Sequence, residues 1–371
     1  MKIYWYAPWP DDRAWASVSL AAHIVQDGDE MVLHKLRSST GPSPTGPVRV
    51  VADLPEVSPA TPWTPRWALD RTMVVTGRAR RRNALIRRLR PDIVHLQLVN
   101  RFTDPWMLPS GSIVATVHDV LPHHGRLPRR AERLLLAALY AKLDAVVVHH
   151  PLVGQQLQAG FGVPGDRIHH VPLVIAPNGA PASRSGLDSP LVLFFGSFRR
   201  NKGIAELCQA IRSLADEHHL RFHLAGRGDA EAERRVRELA RDDPRVTATI
   251  GYVPNNVKDT LFRRASLVVL PYSSFTSQSA VLGDAYAGGA PVLVADVGAL
   301  GASVREDGTG WILASTRPHH IAEAIVSSLA DPVAWQHRAG RAAMVAAQRA
   351  PEAVGRSYRA LYATLNRGRA A

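Results

Sequence analysis

The chain contains one cysteine, Cys208, and therefore cannot form an internal disulfide framework. It has no apolar run of about 18 residues, the length that a membrane-spanning helix requires. The apolar start of the chain, Met1–Ala7, is shorter than a secretory signal and runs into Pro8 and Pro10. These absences indicate a globular protein of a reducing compartment, and we expect a cytoplasmic location.

Acidic residues are in the minority, since 32 Asp and Glu stand against 45 Lys and Arg and leave a net charge of +13. Such a charge attracts polyanions, which include nucleic acid, an anionic membrane surface and phosphorylated small molecules. The densest basic stretch, Arg78–Arg90, has helical spacing with Leu85 and Leu89 on one face. Its arginines either are solvated on a surface helix or contact anionic lipid at the inner face of the membrane, and the sequence leaves both interpretations open.

Length and patterning predict two domains of the α/β class. The chain has 371 residues, of which 46% are hydrophobic, and short apolar strands alternate with helical patterns. This alternation predicts mostly parallel sheets with covered faces. It is interrupted by Pro172–Pro190, a stretch rich in Pro, Ser, Gly and Ala, and restarts at Leu191. We expect domains at 1–175 and 191–351, a linker at 176–190, and a C-terminal helix at 352–371 that completes the first domain.

A strand, a turn and the start of a helix are predicted at Leu191–Gly203. Leu191–Phe195 is typical of a buried strand, and Gly196 is expected to turn the backbone tightly. The cations of the turn are Arg199, Arg200 and Lys202. A helix N-terminus attracts anions through its free N–H groups and its dipole, so the added cations indicate a phosphate-bearing ligand. The alternative is an ordinary corner with solvated basic residues, which is the role we expect for Arg200.

Polar groups also follow other predicted strands of both halves. His118 follows Ser112–Val117, and ligands of open α/β sheets bind beyond the carboxyl ends of the strands, although a lone histidine is often structural. In the second half, Gly226 follows a strand, and the loop Ser273–Ser279 carries hydroxyls and an amide that suit a polyhydroxylated or phosphorylated ligand. Capping of the next helix by Ser279 or Ser277 is the alternative interpretation of that loop.

In their order and spacing, several segments resemble the two-domain GT-B glycosyltransferases, in particular the retaining family 4, also called glycosyl transferases group 1. In the second half the similar segments are Phe194–Gly203, Gly251–Val253, Ala265–Tyr272, Ser277–Val281, Gly289–Val292 and Asp296–Leu300. In the first half they are Arg90–His95 and Thr116–Asp119. Each segment alone is a weak signal, and the joint order carries the resemblance.

The resemblance implies two Rossmann-like, doubly wound domains that face each other across a cleft. The first domain would bind an acceptor, which could be lipid-linked. The second domain would bind a nucleotide diphosphate sugar. The implied reaction is transfer of a hexosyl group to a hydroxyl with retention of anomeric configuration, without a metal or other cofactor. Such a reaction serves the biosynthesis of glycans, polysaccharides, glycolipids or natural products.

The resemblance also implies roles for individual residues. Lys202, helped by Arg199, would bind the diphosphate and stabilise charge on the departing phosphate. His118 would face the donor sugar and the acceptor hydroxyl without being a dedicated base. The donor would contact Gly196, Ser197, Gly226, Tyr252, Val253, Gln278, Ser279, Ala280, Val281 and Asp284. The candidate acceptor contacts, which could equally pack between domains, are Trp9, Arg13, Trp15 and Asn100.

This sequence departs from the family pattern at several of these positions. Asp284 stands where the family usually has a Glu that holds the ribose, and Thr276 stands where many members have a Glu that contacts the donor sugar. The second difference puts that contact in doubt and leaves Gln278 and Ser279 as substitutes. Two other functions stay open. One is a GT-B phosphorylase or epimerase. The other is a basic nucleic-acid-binding protein without catalysis, for which no recognition motif is present.

Overall fold

The computed structural model describes residues 1–9, 19–38, 46–56, 64–120, 129–176, 189–275 and 278–370. The chain divides into two compact units, of which the first comprises Met1–Val174 and Pro351–Ala371 and the second Ile175–Ala350. The last helix therefore belongs to the first unit. Most of the expected linker, residues 177–188, lies outside the described residues.

The strands of the first unit are β1 (Lys2–Ala7), β2 (Glu30–Leu36), β3 (Val48–Leu54), β4 (Ile93–Leu96), β5 (Ser112–Thr116), β6 (Ala145–Val148) and β7 (Ile168–His170). Those of the second unit are β8 (Leu191–Phe198), β9 (Arg221–Gly228), β10 (Val246–Ile250), β11 (Leu267–Leu270), β12 (Val292–Ala295) and β13 (Gly310–Leu313).

The helices in chain order are α1 (residues 19–24), α2 (Pro65–Leu89), α3 (Asp104–Met107), α4 (Arg129–Tyr140), α5 (Pro151–Phe161), α6 (Ile204–Ser213), α7 (Ala230–Asp242), α8 (Asn255–Arg264), α9 (Ala280–Ala287), α10 (Gly298–Asp307), α11 (Pro318–Ala330), α12 (Pro332–Gln348) and α13 (Pro351–Ala370). Short 3-10 turns lie at Gly165–Arg167 and Arg200–Lys202.

Both sheets are parallel, as the alternation of strands and helices predicts. The first has the order β3-β2-β1-β4-β5-β6-β7 and the second the order β10-β9-β8-β11-β12-β13. The central strands β4, β5, β6, β11 and β12 are buried along their whole length, because helices cover both faces of a parallel sheet. In each sheet the strand order reverses at one point, between β1 and β4 in the first and between β8 and β11 in the second. Open α/β folds bind ligands at these switch points.

The last helix, α13, covers one face of the first sheet. Its Tyr358 and Tyr362 are fully buried beside Trp5 of β1 and His95 of β4. The ring of His95 stacks on Trp5 with 4.6 Å between centroids, and its Nδ1 is hydrogen-bonded to the hydroxyl of Tyr362. These contacts join the two ends of the chain in a single hydrophobic core.

The tight turn predicted at Gly196 and the strand end predicted before Gly226 are wrong, because both glycines lie inside longer strands. β8 continues to Phe198 and β9 continues to Gly228, and the two glycines are paired with each other across the strands. Their φ angles are +134° and +149°, which favour glycine. A Cβ at Gly226 would overlap the carbonyl oxygen of Gly196, so glycine is required for the close approach of the two backbones.

The basic helix is longer and less uniformly exposed than the sequence predicts. α2 begins at Pro65 and has 25 residues. Arg82 is 1% exposed and Arg78 is half-buried, so these two arginines do not belong to a solvated face. The fully exposed basic positions of the segment are Arg80, Arg81, Arg87, Arg88 and Arg90.

Candidate active site

A basic corner lies at the switch point of the second sheet, where β8 passes through the turn Arg200–Lys202 into α6. Gly203 ends this turn with φ of +70°, and a Cβ there would overlap the carbonyl oxygen of Pro271 at the end of β11. Asn201 joins the same two loops, since its carbonyl accepts the N–H of Ser273 at 3.0 Å and its side-chain amide donates to the carbonyl of Ser274 at 3.2 Å. The corner is therefore fixed to the loop that follows β11.

Lys202 is held against two aromatic rings of that loop. Its Nζ lies 3.6 Å from the ring centroid of Tyr272 and 4.0 Å from that of Phe275. A cation over aromatic faces is attracted by the ring quadrupole. Burial raises the pKa of Tyr272 to about 12, although its hydrogen bond with Ser279 opposes the rise, so the phenol is neutral at physiological pH. Arg199 and Arg200 on the same corner are exposed.

Backbone groups of three strands meet beside this corner. Gly196 pairs with Gly226, and the carbonyl of Gly226 accepts the N–H of Gly251 at 2.8 Å. Val281 at the start of α9 faces Gly196, because a Cβ built at Gly196 would lie 3.9 Å from a Val281 methyl carbon. The structure therefore brings the predicted donor residues at the ends of β8, β9 and α9 together.

The start of α9 places several predicted donor residues. Ser279 is the N-cap residue, but its side chain makes no capping hydrogen bond, so the capping interpretation does not hold for it; Ser277 lies outside the described residues. The amide nitrogen of Gln278 donates to the hydroxyl of Ser303 at 3.3 Å. Ala280 is exposed, as is Arg199, and Ser197 is half-buried.

Asp284 forms an ion pair that the sequence did not reveal. Lys258 of α8 donates from Nζ to Oδ1 of Asp284 at 2.8 Å. Burial raises the pKa of Asp284, and the charge and hydrogen bond of Lys258 oppose that rise. No local motif marks Lys258, because the packing of α8 on α9 creates the contact.

Tyr252 and Val253, two of the predicted donor contacts, have different surroundings. Tyr252 is 68% exposed, whereas Val253 is 8% exposed and packs in the core with Leu261 and Phe262. Only the backbone of Val253 is thus open to a ligand. Thr276, whose family counterpart contacts the donor sugar, lies outside the described residues.

His118 lies in the first unit after β5, in a group of aromatic rings. Its Nε2 donates to the carbonyl of Gln97 at 3.1 Å, which selects the Nε2–H tautomer of the neutral ring. Trp9 packs edge-on at 5.4 Å and His149 lies at 5.2 Å, both between ring centroids. His149 donates from Nδ1 to the carbonyl of Val171 at 2.8 Å, and burial lowers its pKa to about 3. His149 was missed, although it directly follows β6 and its position after a strand end could have marked it.

The other predicted acceptor residues are only partly described. Asn100 follows β4, and its Oδ1 accepts the N–H groups of Phe102 and Thr103 at 2.9 and 3.2 Å. Arg13 and Trp15 lie outside the described residues. Over the described ranges, no three His, Cys, Asp or Glu side chains are grouped so that they could hold a metal ion. Within the same ranges, no helix has both the length and the apolar character needed to cross a bilayer.

Two family models match successive parts of the chain. Residues 17–178 match Glycosyltransferase Family 4, and residues 189–331 match Glycosyl transferases group 1. The chain is a glycosyltransferase with a Family 4 domain followed by a group 1 domain. The first match falls almost wholly within the first unit and the second match within the second unit, so the resemblance of the sequence motifs to these glycosyltransferases is confirmed.

Curated relatives of this chain are distant. The glycogen synthase of Mycobacterium tuberculosis is 26% identical over 352 residues, which are 84% of this chain and 80% of the relative. The D-inositol 3-phosphate glycosyltransferase of Xylanimonas cellulosilytica is 30% identical over 52% of this chain and 50% of its own. The match to a probable glycogen synthase of Methanocaldococcus jannaschii is 30% identical and covers 31% of this chain and 22% of the relative, about a fifth of its length.

Solved structures share the fold over nearly the whole chain. Sucrose-phosphate synthase from Thermosynechococcus elongatus has a TM-score of 0.75 at 20% identity and covers 99% of this chain and 100% of its own. WaaG, a glycosyltransferase involved in lipopolysaccharide biosynthesis, has a TM-score of 0.71 at 16% identity, covering 98% and 99%. Anabaena HepE in complex with UDP-glucose has a TM-score of 0.69 at 14% identity, covering 98% and 100%. The predicted GT-B fold is therefore confirmed.

Proposed function

We propose that this protein transfers a sugar from a nucleoside diphosphate sugar to a hydroxyl acceptor. The observation that carries the proposal is Lys202, a fixed cation between Tyr272 and Phe275 at the switch point of the second sheet. A diphosphate bound there would meet this cation. Anabaena HepE, which has the same fold, binds UDP-glucose in its solved structure and supports a donor of this class.

The residues of the corner suit a departing nucleoside diphosphate. Negative charge grows on the diphosphate as the glycosidic bond breaks, and a cation that is already in place stabilises it without reorganisation. Lys202 supplies that charge and the exposed Arg199 adds to it, so we propose that no metal ion is required. The carboxylate of Asp284, fixed by Lys258, would accept hydrogen bonds from the ribose hydroxyls.

Retention of anomeric configuration, implied by the motif resemblance, is the finer part of the proposal. His118 supports the resemblance because its ring is oriented by Gln97 and Trp9 after the end of β5. With Nε2–H donated to the carbonyl of Gln97, Nδ1 is the acceptor atom of the ring, and we propose that it orients a hydroxyl group without being a dedicated base. The acceptor hydroxyl would be that of a growing glycan, a glycolipid or a small natural product.

A donor panel tests the proposal. Calorimetry with UDP, GDP and dTDP measures nucleotide binding, and incubation with the corresponding sugars measures transfer or donor hydrolysis. We expect one nucleotide to bind and its sugar to be turned over. Absence of both nucleotide binding and turnover would contradict the proposal. Product stereochemistry by NMR, with and without added phosphate, separates a retaining transferase from a phosphorylase or an epimerase.

We also propose a peripheral contact of the first unit with anionic lipid at the cytoplasmic face of a membrane. The exposed arginines Arg80, Arg81, Arg87 and Arg88 lie on α2. Two apolar side chains of the same helix, Leu69 and Met73, are 61% and 64% exposed. Basic and apolar groups on one helix suit an interfacial contact, in which each basic residue contributes on the order of 1 kcal/mol.

A further inference from the structure

The first sheet has a switch point of its own, and a small polar cavity opens there. The cavity measures about 40 Å³. It lies between Tyr6 and Pro8 at the end of β1, Leu98 and Asn100 after β4, and Arg78 on α2. One water needs about 10–15 Å³ of such space, so the cavity has room for about three waters, or for a compact charged group rather than a sugar ring.

The base of the cavity is a neutral ion pair. Arg82, although 1% exposed, has three acceptors: Asp104 Oδ1 at 2.9 Å, the carbonyl of Met107 at 2.7 Å and Asn83 Oδ1 at 3.1 Å. The second oxygen of Asp104 accepts the backbone N–H of Asn100 at 2.6 Å. A buried pair with every group satisfied neutralises itself and leaves neither charge for a ligand.

Arg78 is the surplus cation of the cavity. Its Nε donates to the carbonyl of Pro55 at 2.7 Å, and within the described residues neither terminal amino group of Arg78 has a hydrogen-bond acceptor. Two further charges act on Arg78 from outside the cavity. Glu56 is exposed and accepts the N–H of Ser38 at 2.8 Å, and Arg71 has the same sign as Arg78. Burial lowers the pKa of Arg78, which indicates that its charge is partly withdrawn from water.

Three other polar groups lining the cavity can donate hydrogen bonds. The Oγ1 of Thr103 is buried without a partner in the described part of the chain. The side-chain oxygen of Asn100 is used by the turn, which leaves its amide N–H groups as donors. Burial raises the pKa of the Tyr6 hydroxyl to about 12, so it keeps its proton. The charge of Arg78 and these donors favour an anionic oxygen ligand, and the hydroxyls of Thr103 and Tyr6 can also accept hydrogen bonds.

We propose that this cavity binds an anionic oxygen group of the acceptor, a phosphate or a carboxylate, with Arg78 as its counter-ion. Asn100, Thr103 and Tyr6 donate hydrogen bonds to the remaining oxygens, and the aliphatic side chains of Val75 and Ala79 exclude water. The acceptor is then a phosphorylated sugar or a sugar acid. This inference rests on the proposed function, because it names the substrate class of the same reaction.

Calorimetry on the full chain saturated with UDP tests the cavity, because UDP occupies the corner at Lys202 that would otherwise bind the same anions. The probes are inorganic phosphate, acetate, glucose 6-phosphate, glucuronate and uncharged glucose. We expect either inorganic phosphate and glucose 6-phosphate or acetate and glucuronate to bind, and uncharged glucose not to bind. The pair that binds more strongly shows whether the anionic group is a phosphate or a carboxylate. Arg78→Ala is expected to weaken this binding about 10- to 100-fold, as the loss of charge-assisted hydrogen bonds does.

Two matched variants separate charge from folding. Arg80→Ala removes an exposed arginine of the same helix and should leave anion binding unchanged. Arg78→Lys keeps the charge and should recover part of the affinity lost in Arg78→Ala, with thermal unfolding as the check on folding. Asn100→Asp keeps the oxygen that the turn needs and replaces a donor by a negative charge, so it should abolish anion binding.

Equal anion affinity in Arg78→Ala and Arg80→Ala, or no binding of any anion to the wild type, would overturn the assignment. UDP binding is measured first, and its failure counts against the proposed function alone. In that event the contrast between Arg78→Ala and Arg80→Ala, measured without UDP, still decides whether the cavity binds anions.

Discussion

Replacing Gly203 with alanine tests whether the basic corner depends on the close approach of two backbones. Gly203 has φ of +70°, a conformation that costs an L-residue about 1–2 kcal/mol. A Cβ there would also overlap the carbonyl oxygen of Pro271, and relief of such overpacking costs about 1–3 kcal/mol. Together these costs predict that Gly203→Ala lowers the free energy of unfolding of the second unit by about 2–5 kcal/mol.

Gly308→Ala is the matched control, since Gly308 lies in the same unit with φ of +66°. The nearest atom to a Cβ at Gly308 is Nε of Arg341 at 3.7 Å, which is an ordinary contact. In this variant the free energy of unfolding should therefore fall only by the cost of the backbone dihedral, about 1–2 kcal/mol. The difference between the two variants isolates the cost of separating Gly203 from Pro271.

Urea unfolding with hydrogen exchange at the amides of α6 and α10 measures both variants. Calorimetry with UDP gives a second readout, because Gly203 follows Lys202 directly. A displaced corner should weaken UDP binding in Gly203→Ala and not in Gly308→Ala. Equal destabilisation of the two variants would refute the close approach, and unchanged UDP affinity in Gly203→Ala would remove the corner from the donor site.

Three further predictions concern charge. Lys202→Ala should lower turnover about 100-fold or more, whereas the turnover of Arg200→Ala should stay near that of the wild type. Donor hydrolysis assays compare the two variants, and normal turnover in Lys202→Ala would exclude a role of Lys202 in the reaction. Burial lowers the pKa of both His149 and His95 to about 3, so the unfolded chain is protonated first at each ring. Below pH ~6.5 each ring should therefore lower the free energy of unfolding by about 1.4 kcal/mol per pH unit. Urea midpoints from pH 7 to 5 measure this slope, and His149→Gln should reduce it. Sedimentation with anionic vesicles at low salt should show binding that Arg87→Glu with Arg88→Glu weakens; no binding by the wild type would end the membrane proposal.

The alternation of strands and helices was enough to predict the α/β class and the parallel sheets. Long periodic segments were the clearest: the helix expected at 352–371 is observed as α13 (Pro351–Ala370). Shorter elements were missed. β13 has four residues, too few for a periodic signal, and α10 follows the strand β12 without a capping motif.

The Leu191–Gly203 corner shows where local sequence patterns mislead. A glycine between apolar and basic residues predicts a turn, yet Gly196 continues the strand because its backbone pairs with Gly226 of the neighbouring strand, where the two backbones lie too close for a Cβ on Gly226. Arg82 differs from its prediction for a similar reason. Its place in a basic run predicts solvation, whereas Asp104, far along the chain, supplies the charge that allows its burial.

The candidate site was predictable where residues follow strand ends and hidden where helices meet. Lys202 follows β8 of the second sheet, and His118 follows β5 of the first. A parallel sheet places such positions at its own carboxyl edge. Lys258 depends on a contact between α8 and α9, which a single sequence does not encode in any motif. His149 directly follows β6, so the position after a strand end could have marked it as it marked His118.

The position of α13 has a consequence for the order in which the protein matures on the ribosome. The second unit, Ile175–Ala350, is complete when the ribosome has delivered residue 350. The first unit, although synthesised earlier, lacks Tyr358 and Tyr362 until residues 351–370 have emerged, and until then Trp5 and His95 have no cover from this helix. The half of the chain that is made first is therefore finished last, and its aromatic core is a surface that chaperones can bind during synthesis.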